Sequence, residues 1–553
     1  MITLQQIHMK TMKIMENKRL KLPIGIQTFE TIRSDGFVYV DKTKYLVDMI
    51  DSGDLHFFAR PRRFGKSVTV STLYALFSGK KDLFKGLYAE EFLNRPDFEP
   101  SPVIWLNLSK VTTSCGLETL KESLKDVTIE VAEELGVDVP KDLSASDIFR
   151  RIIISASNKY KQKVVILLDE YDAPYTDFFN DPDMAIKVRD LLRDYYVQIK
   201  SNEKHIRFVF ITGISKFAKI GVFSTLNVTS DLSLTPEFAE MCGYTEEEIL
   251  QYFPDYIDDT AKYMGITPKE LIEKMRYYYN GFSFDREAKA RLYNPFSTLE
   301  FFREKEFFNF WMDTGRSKVI ADYMKNHNLT VEQFRMYPIS RDFAKSPGDV
   351  DIATPEAFLY QCGYLTLRKG TTDNLSLDYP NTEVLNSMSE LVAQNIFAEK
   401  ANVINSEMLA ALFYNDIDKI VEVFNRLLSG IPYDDYESAA KQSIYFNRYQ
   451  FSVQEWLYRS TILAFLRGCG IATVAEMHTN LGRADLVISH KGNTWIIEIK
   501  VAYKGENPEK KAEEAMQQII DKNYAKQFPG AVGIAMAIDD TLRQITDVKT
   551  VRP

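Results

Sequence analysis

Cysteine is scarce: the 553 residues hold four, Cys115, Cys242, Cys362 and Cys469, far apart and with no CxxC pair. That spacing excludes a disulfide framework and a structural zinc site, and it fits a reducing, cytoplasmic setting. Histidine is also scarce, and its six residues show no metal-binding spacing. Any metal is therefore expected to be a hard cation among carboxylates. No apolar run approaches the ~18 residues that cross a bilayer. The longest, such as Val164–Leu168 and Ala531–Ile538, have the length of buried strands. The N-terminal stretch has scattered Lys and Arg but no continuous apolar core, so it does not read as a secretory signal. Positive charge is not in excess: Lys plus Arg is 68 against 77 Asp plus Glu, a formal charge of -9. A protein coated in nucleic acid is disfavoured, while a local basic groove is still allowed. Internal repeats and low-complexity linkers are absent.

What is present is an ordinary globular composition, 45% hydrophobic and 26% charged, with enough chain to bury large cores. At ~100–200 residues per domain, two to four domains are expected. In the first half strands alternate with helices. Strands are predicted at His56–Arg60, Val103–Leu108, Val164–Leu168 and Ile206–Thr212. Helices are predicted over Ser67–Ser78, Leu117–Leu135, Ser146–Tyr160 and Pro182–Lys200. That alternation implies a mostly parallel sheet covered on both faces. From Thr235 to Phe310 the pattern turns helical and rich in Tyr and Phe, with a helix start in Gly243–Ile249. A strand is expected at Tyr364–Arg368 and helices over 386–430. The final ~105 residues read as a long helix, a hairpin, a helix and a last strand.

The segment Arg60-Pro61-Arg62-Arg63-Phe64-Gly65-Lys66-Ser67 lies between a strand and a helix and matches the second half of the phosphate-loop pattern GxxxxGK[ST]. Gly65 would let the backbone approach a phosphate. Lys66 would reach the β- and γ-phosphates, Ser67 would ligate Mg²⁺, and the helix start adds the positive end of its dipole. The first glycine of the pattern is replaced by Arg60. Arg62 and Arg63 would hold a phosphate or fix the loop through a carboxylate. A second motif supports the first. Val164–Leu168 ends in Asp169-Glu170, an apolar strand with two acids, placing Asp169 on Mg²⁺ and Glu170 on the attacking water. Thr212 sits where a polar γ-phosphate sensor would lie, although a polar strand end needs no function; no arginine finger can be chosen from the sequence, Arg189 and Arg193 on the preceding helix being merely the arginines at hand.

Near the end, Gly482–Ser489 and Thr494–Lys500 flank a turn containing Gly492 and read as a hairpin. With Lys491-Gly492 as the loop, Asp485 faces Glu498; a loop one residue away would place it opposite Lys500. Glu498 and Lys500 share a face. Two facing carboxylates repel unless a cation lies between them, and Mg²⁺ suits an all-oxygen site. Lys500 could then orient or deprotonate a water that attacks a phosphodiester. Glu455, on the predicted helix Phe451–Gly468, adds a third carboxylate. The helix Ala512–Lys526 bears Gln517, Gln518, Lys522 and Tyr524. Lys504, Lys510, Lys511, Lys522 and Lys526 make the surroundings locally basic.

The chain resembles bacterial proteins that join an AAA-ATPase-like domain to a C-terminal PD-(D/E)xK nuclease domain, from about Leu22 to Val532. The N-terminal marks are Leu22–Ile26, Tyr39–Thr43, Arg60–Ser67, Leu168–Pro174 and Thr212–Phe217. Tyr279–Phe282, Tyr293–Phe296, Gln361–Thr366, Pro380–Val384, Gly482–Asp485 and Glu498–Lys500 follow. The resemblance implies that Arg60 in place of glycine is a family trait. It also implies that Gln518 organises a nuclease site with Glu455, Asp485, Glu498 and Lys500. Ala484 stands where the motif has proline. Trp311 with Thr314-Gly315 matches the family without a derivable role. The Tyr277–Tyr279 run reads as packing, with base stacking as its alternative.

The expected architecture is a multidomain α/β protein. A P-loop parallel-sheet ATPase (22–235) is followed by a helical lid (236–315). A mixed, mostly helical connecting region (316–445) leads to a restriction-endonuclease-like α/β domain (446–553). The expected activity is ATP binding and hydrolysis with Mg²⁺-dependent phosphodiester cleavage, Mn²⁺ being an alternative metal in the nuclease site. Nucleic acid, DNA rather than RNA, is the expected partner, with no membrane, and the setting is defence or mobile-element processing. The rival reading is a nucleotide-dependent switch, or a signal-sensing NTPase that oligomerises, whose nuclease-like domain only binds nucleic acid or protein.

Overall fold

The structure is a computed structural model. It describes residues 19–114, 116–178, 181–214, 230–312, 331–340, 343, 354–369, 375–397, 401–429, 452–479, 482–522 and 528–552. Ser215–Phe217, Thr314-Gly315, Tyr524 and Lys526 lie outside these residues. The chain forms two compact units, Met1–Phe310 with Ser340–Leu375, and Trp311–Ile339 with Ser376–Pro553.

The first unit is built on five parallel strands: β1 (Leu55–Ala59), β2 (Val103–Asn107), β3 (Val164–Asp169), β4 (Ile206–Gly213) and β5 (Ser230–Asp231). Their order is β2-β3-β4-β1-β5. Every residue of β3 is buried, as a parallel strand covered on both faces requires. Around the sheet lie α1 (Lys66–Phe77), α2 (Leu117–Glu134), α3 (Ala145–Tyr160) and α4 (Pro182–Ser201). The predicted strands and helices agree with these within about two residues. The exception is β5, a two-residue strand with no apolar run to announce it.

The same unit carries a helical layer: α5 (Glu246–Tyr252), α6 (Pro254–Met264), α7 (Pro268–Tyr279) and α8 (Pro295–Glu304). Capping boxes open two of these helices, Thr245 with Glu248 on α5 and Thr267 with Glu270 on α7. The aromatic content makes the core of this layer, where Phe253, Tyr279, Tyr293, Phe301 and Phe302 pack with Val38 and Val40. Tyr279 is fully buried and Tyr278 packs against the cluster, while Tyr277 is exposed. A strand is also present at Thr366–Lys369.

The second unit contains α9 (Thr382–Phe397), α10 (Ala401–Tyr414), α11 (Ile417–Leu428) and α12 (Val453–Gly468). They are followed by β6 (Ala472–Thr479), β7 (Gly482–His490), β8 (Asn493–Ala502), α13 (Pro508–Asp521), β9 (Val532–Asp539) and β10 (Gln544–Val551). The sheet is mixed, in the order β10-β9-β8-β7-β6, with β8 and β9 parallel and the other pairs antiparallel. The sequence reading anticipated the three inner strands and missed β6 and β10. Both are edge strands with polar residues at many positions, so neither shows the apolar signal of an inner strand. Ile497, Ile499 and Val501 pack with Phe424 and Leu427 of α11 and Ile462 and Leu466 of α12. Ile496 packs with Ala515 and Ile519 of α13. The two-residue period of β8 thus puts Glu498 and Lys500 in the same row as Ile496.

Candidate active sites

The phosphate loop leaves β1 and turns into α1 at Gly65, whose φ of 93° is left-handed. A Cβ there would meet nothing within 4 Å, so the space above the loop is open and it is the backbone conformation, not packing, that calls for glycine. The space is part of a cavity of about 240 Å³. Gly65, Lys66, Ser67 and Glu170 line it, and its apolar wall includes Val40 and Leu299. Tyr39–Thr43 and Tyr293–Phe296 are among the marks of the resemblance. Tyr39, Val40, Lys42, Pro295 and Phe296 now prove to wall this cavity.

Lys66 is buried; its Nζ donates to the Pro61 carbonyl at 3.1 Å and lies 3.5 Å from Glu170 Oε1. Asp169 ends β3 and is fully buried. No hydrogen bond of normal geometry reaches either of its carboxylate oxygens among the described residues. Burial, and then Glu170, push its pKa up to about 6, against the opposing pull of the Ser67 hydroxyl and of Lys66. A buried carboxylate with two unsatisfied oxygens beside a Ser hydroxyl is the oxygen-rich surrounding a Mg²⁺ ion needs, so the residues fit the ion. Glu170 adopts φ 50°, a left-handed conformation that a non-glycine residue holds only when its surroundings enforce it.

Thr212 is placed differently from the sequence expectation. It is fully buried, and its hydroxyl donates to the Phe58 carbonyl at 2.7 Å, tying β4 to β1. The hydroxyl hydrogen is therefore engaged inside the sheet and not turned toward a phosphate. Arg189 and Arg193 pair with Asp190 on their own helix. Two arginines of the loop, Arg60 and Arg63, also depart from a phosphate-binding arrangement. Arg60 is buried among main-chain carbonyls, and Arg63 donates to the Phe310 carbonyl at 3.0 Å with its guanidinium 3.6 Å over the Phe296 ring.

In the second unit, Lys491 (φ 45°) and Gly492 (φ 86°) form the hairpin loop between His490 and Asn493. Leu486 pairs with Ile497, and one more step along that register puts Asp485 opposite Glu498. Both carboxylates are buried. Asp485 Oδ2 accepts from the Ile499 amide at 2.9 Å, and Glu498 Oε2 accepts from Gln518 Nε2 at 3.0 Å. Burial raises the Asp485 pKa, opposed by the Ile499 amide, by a hydrogen bond with Glu498, and by Lys500 and Arg483. Side-by-side carboxylates sharing a hydrogen bond are a pair that a divalent cation would relieve, so these residues also fit a hard metal ion. Among the described residues no group of three or more His, Cys, Asp or Glu side chains is placed to hold a metal ion.

Glu455 sits in the first turn of α12, its amide capped by Ser452 Oγ at 3.0 Å. Burial, and to a lesser degree the Asp485 charge, raise its pKa, while Lys500, then Arg483 and Lys511, oppose the rise. The structure thus brings Glu455, Asp485, Glu498, Lys500 and Gln518 into one neighbourhood. It adds two residues not singled out before. Arg459 is buried one helical turn after Glu455, with Nη1 4.0 Å from Asp485 Oδ1. Arg483 stands two residues before Asp485. Their spacing of four on a helix and two on a strand was the available signal.

Comparison with known proteins agrees with this division. Residues 23–223 match a family model described as a predicted AAA-ATPase, and residues 453–538 match the PD-(D/E)XK nuclease superfamily. A relative from Azotobacter chroococcum mcd 1, described as "Uncharacterized protein in vnfD 5'region", is 31% identical over 518 residues, covering 92% of this chain and 94% of the relative. The chain belongs to the family of AAA-ATPase-like proteins with a C-terminal PD-(D/E)XK nuclease-superfamily domain. Among solved structures, the Orc1 protein of Aeropyrum pernix in complex with DNA is 15% identical, at a TM-score of 0.26, covering 66% of this chain and 96% of that one. Cdc6p from Pyrobaculum aerophilum is 12% identical, at 0.24, covering 66% and 97%. Likenesses that loose carry no weight for function. Among the described residues no helix is long and apolar enough to cross a membrane.

Proposed function

We propose that this family member binds and hydrolyses ATP in its first unit and cleaves phosphodiester bonds of nucleic acid, DNA rather than RNA, in its second. The observation that carries the nucleotide half is the fully buried, unsatisfied Asp169 carboxylate beside the loop that presents Gly65, Lys66 and Ser67 to a cavity. Ser67 and Asp169 would hold Mg²⁺, which when bound supplies charge stabilisation at the phosphates. Lys66, now on Glu170 and the Pro61 carbonyl, would turn to the β- and γ-phosphates and free Glu170 to orient water. The nuclease half rests on the adjacency of Asp485, Glu498, Lys500 and Gln518. Asp485 and Glu498 would hold Mg²⁺ or Mn²⁺, which supplies charge stabilisation to the phosphoryl oxygens. Gln518 holds Glu498 in place. Lys500, whose charge acts on Glu455, would orient a water or take its proton. A role in defence or mobile-element processing, in the cytoplasm, fits such a pairing.

One observation favours the switch reading, in which the second unit only binds nucleic acid: the Arg459 guanidinium lies beside Asp485. The test is incubation of the purified chain with labelled single- and double-stranded DNA and RNA, with Mg²⁺ or Mn²⁺, with and without ATP, beside the Glu498→Ala/Lys500→Ala variant. Cleavage lost in the variant supports the nuclease reading. Binding without cleavage in every lane favours the switch.

A further inference from the structure

The arginine that replaces the first glycine of the phosphate loop is not a filler. Arg60 is 1% exposed, and its guanidinium is surrounded by carbonyls. Nη1 donates to Ala59 at 2.9 Å and Ser233 at 2.7 Å, and Nη2 to Phe238 at 3.1 Å and Ala239 at 3.3 Å. The rings of Phe58 and Phe284 lie 4.0 and 4.4 Å from its Cζ. In return, the Ala59 amide donates to Ser233 Oγ at 3.0 Å. The end of β1 is therefore cross-linked to the 233–239 segment that leads into the helical layer. Three residues on, Arg63 reaches α8 through the Phe296 ring and the segment after α8 through the Phe310 carbonyl, and does so from φ 64°. Between these anchors Phe64, 1% exposed, packs edge-on against Phe282 and Phe284, at 4.8 and 5.2 Å between ring centres. In this loop Arg60 is thus committed to the rest of the unit away from the cavity, and Arg63 and Phe64, which also line the cavity beside Gly65, Lys66 and Ser67, are anchored to the helical layer.

We propose that Arg60 and Arg63 are positioning residues that strap the phosphate loop to the helical layer, so that the loop is shaped for a nucleoside triphosphate only while that layer is packed in place. The inference rests on the nucleotide-binding reading above and adds a coupling that the Gly-Lys-Ser signature does not contain. Its physical basis is preorganisation. A loop held in its binding shape loses little further freedom on taking a ligand, whereas an unstrapped loop must be ordered at the ligand's expense.

The test is titration of a fluorescent ATP analogue with Mg²⁺ into the full chain and four variants, with melting of the nucleotide-free proteins measured in parallel. In Arg63→Gly the left-handed backbone is accommodated without strain, so melting stays close to wild type while affinity falls by about tenfold. Phe284→Leu removes the ring beneath Arg60 and Phe64 outside the cavity and weakens binding in the same direction. Arg60→Lys keeps the charge but loses the planar fork, and falls between wild type and Arg63→Gly. Lys66→Ala loses the phosphate contact itself and serves as the reference for lost binding. Wild-type affinity in Phe284→Leu, whose ring lies outside the cavity that Arg63 helps to line, would overturn the proposal whatever Arg63→Gly shows, as would affinity losses that merely follow losses of melting temperature. If wild type binds no better than Lys66→Ala, the nucleotide reading falls and the strap with it, a result distinct from the first because it appears in the unmutated chain. Should Arg60→Lys not fold, the other two variants decide.

Discussion

Asp169→Asn separates a carboxylate kept for an ion from one kept for the fold. In the metal-free protein the Asp169 pKa stands at about 6, against an ordinary value of 3.8. The difference, about 2.2 units, corresponds to about 3 kcal/mol at 1.36 kcal/mol per unit. The sign is destabilising. Between pH ~4 and ~6 the unfolded chain has already released this proton while the folded chain still holds it, so stability falls as pH rises. Above about pH 6 the whole penalty is in force, and below about pH 4 it is absent. Replacing the carboxylate with a neutral amide of similar shape removes it. Metal-free Asp169→Asn is therefore expected to exceed wild type by up to about 3 kcal/mol at pH 7.5 and to match it near pH 4. For a unit of this size that is on the order of 3–5 °C in melting temperature. Adding MgATP reverses the order, because wild type gains binding free energy and the variant, lacking the charge, does not. The assay is calorimetric melting of the first unit's transition at both pH values, with EDTA and with MgATP. An Asn variant that is less stable than wild type at pH 7.5 in EDTA, or an advantage that persists near pH 4, would refute the reasoning.

Three further outcomes are expected. Glu498→Ala/Lys500→Ala should abolish phosphodiester cleavage while leaving ATP-analogue affinity unchanged, checked by a gel assay and a fluorescence titration on the same preparation. Gln518→Ala, which takes away the amide that holds Glu498, should lower cleavage by about 10–100-fold without abolishing it, since supporting residues orient a metal site and do not form it. Gly213→Ala should destabilise the first unit by at least about 1–3 kcal/mol in chemical denaturation, because the added Cβ would lie 2.3 Å from Asp172 Oδ1 and 2.6 Å from the Tyr171 ring.

Much of the fold was legible because its signals are local. The four long parallel strands are apolar or nearly so, and Gly65 and Thr245 mark the helix starts they occupy. The two-residue loop at Lys491-Gly492 decided the hairpin register, and with it the facing of Asp485 and Glu498. What escaped were elements whose residues carry weak patterns by themselves. β6 and β10 lie at sheet edges with mixed polar faces, and β5 is too short for any periodicity. Thr212 shows a different failure. A polar residue at the end of an inner strand looks the same in the sequence whether its hydroxyl faces a ligand or the next strand's carbonyl, and here it takes the carbonyl of Phe58.

By itself the sequence determined the chemistry available: a Gly-Lys-Ser turn after a strand, a buried strand ending in two acids, and a hairpin that sets Asp against Glu-x-Lys. Each of these is a contiguous stretch whose strand and helix geometry follows from its own residues. The tertiary structure alone decided how those groups are held. Arg60 finds carbonyls 173 and 179 residues further on, Arg63 reaches one 247 residues away, and Arg459 meets Asp485 only once helix and sheet have packed. No local pattern encodes such partners. A main-chain carbonyl has no residue identity to read, and what brings it within reach of a guanidinium is the burial of apolar surface across the whole unit.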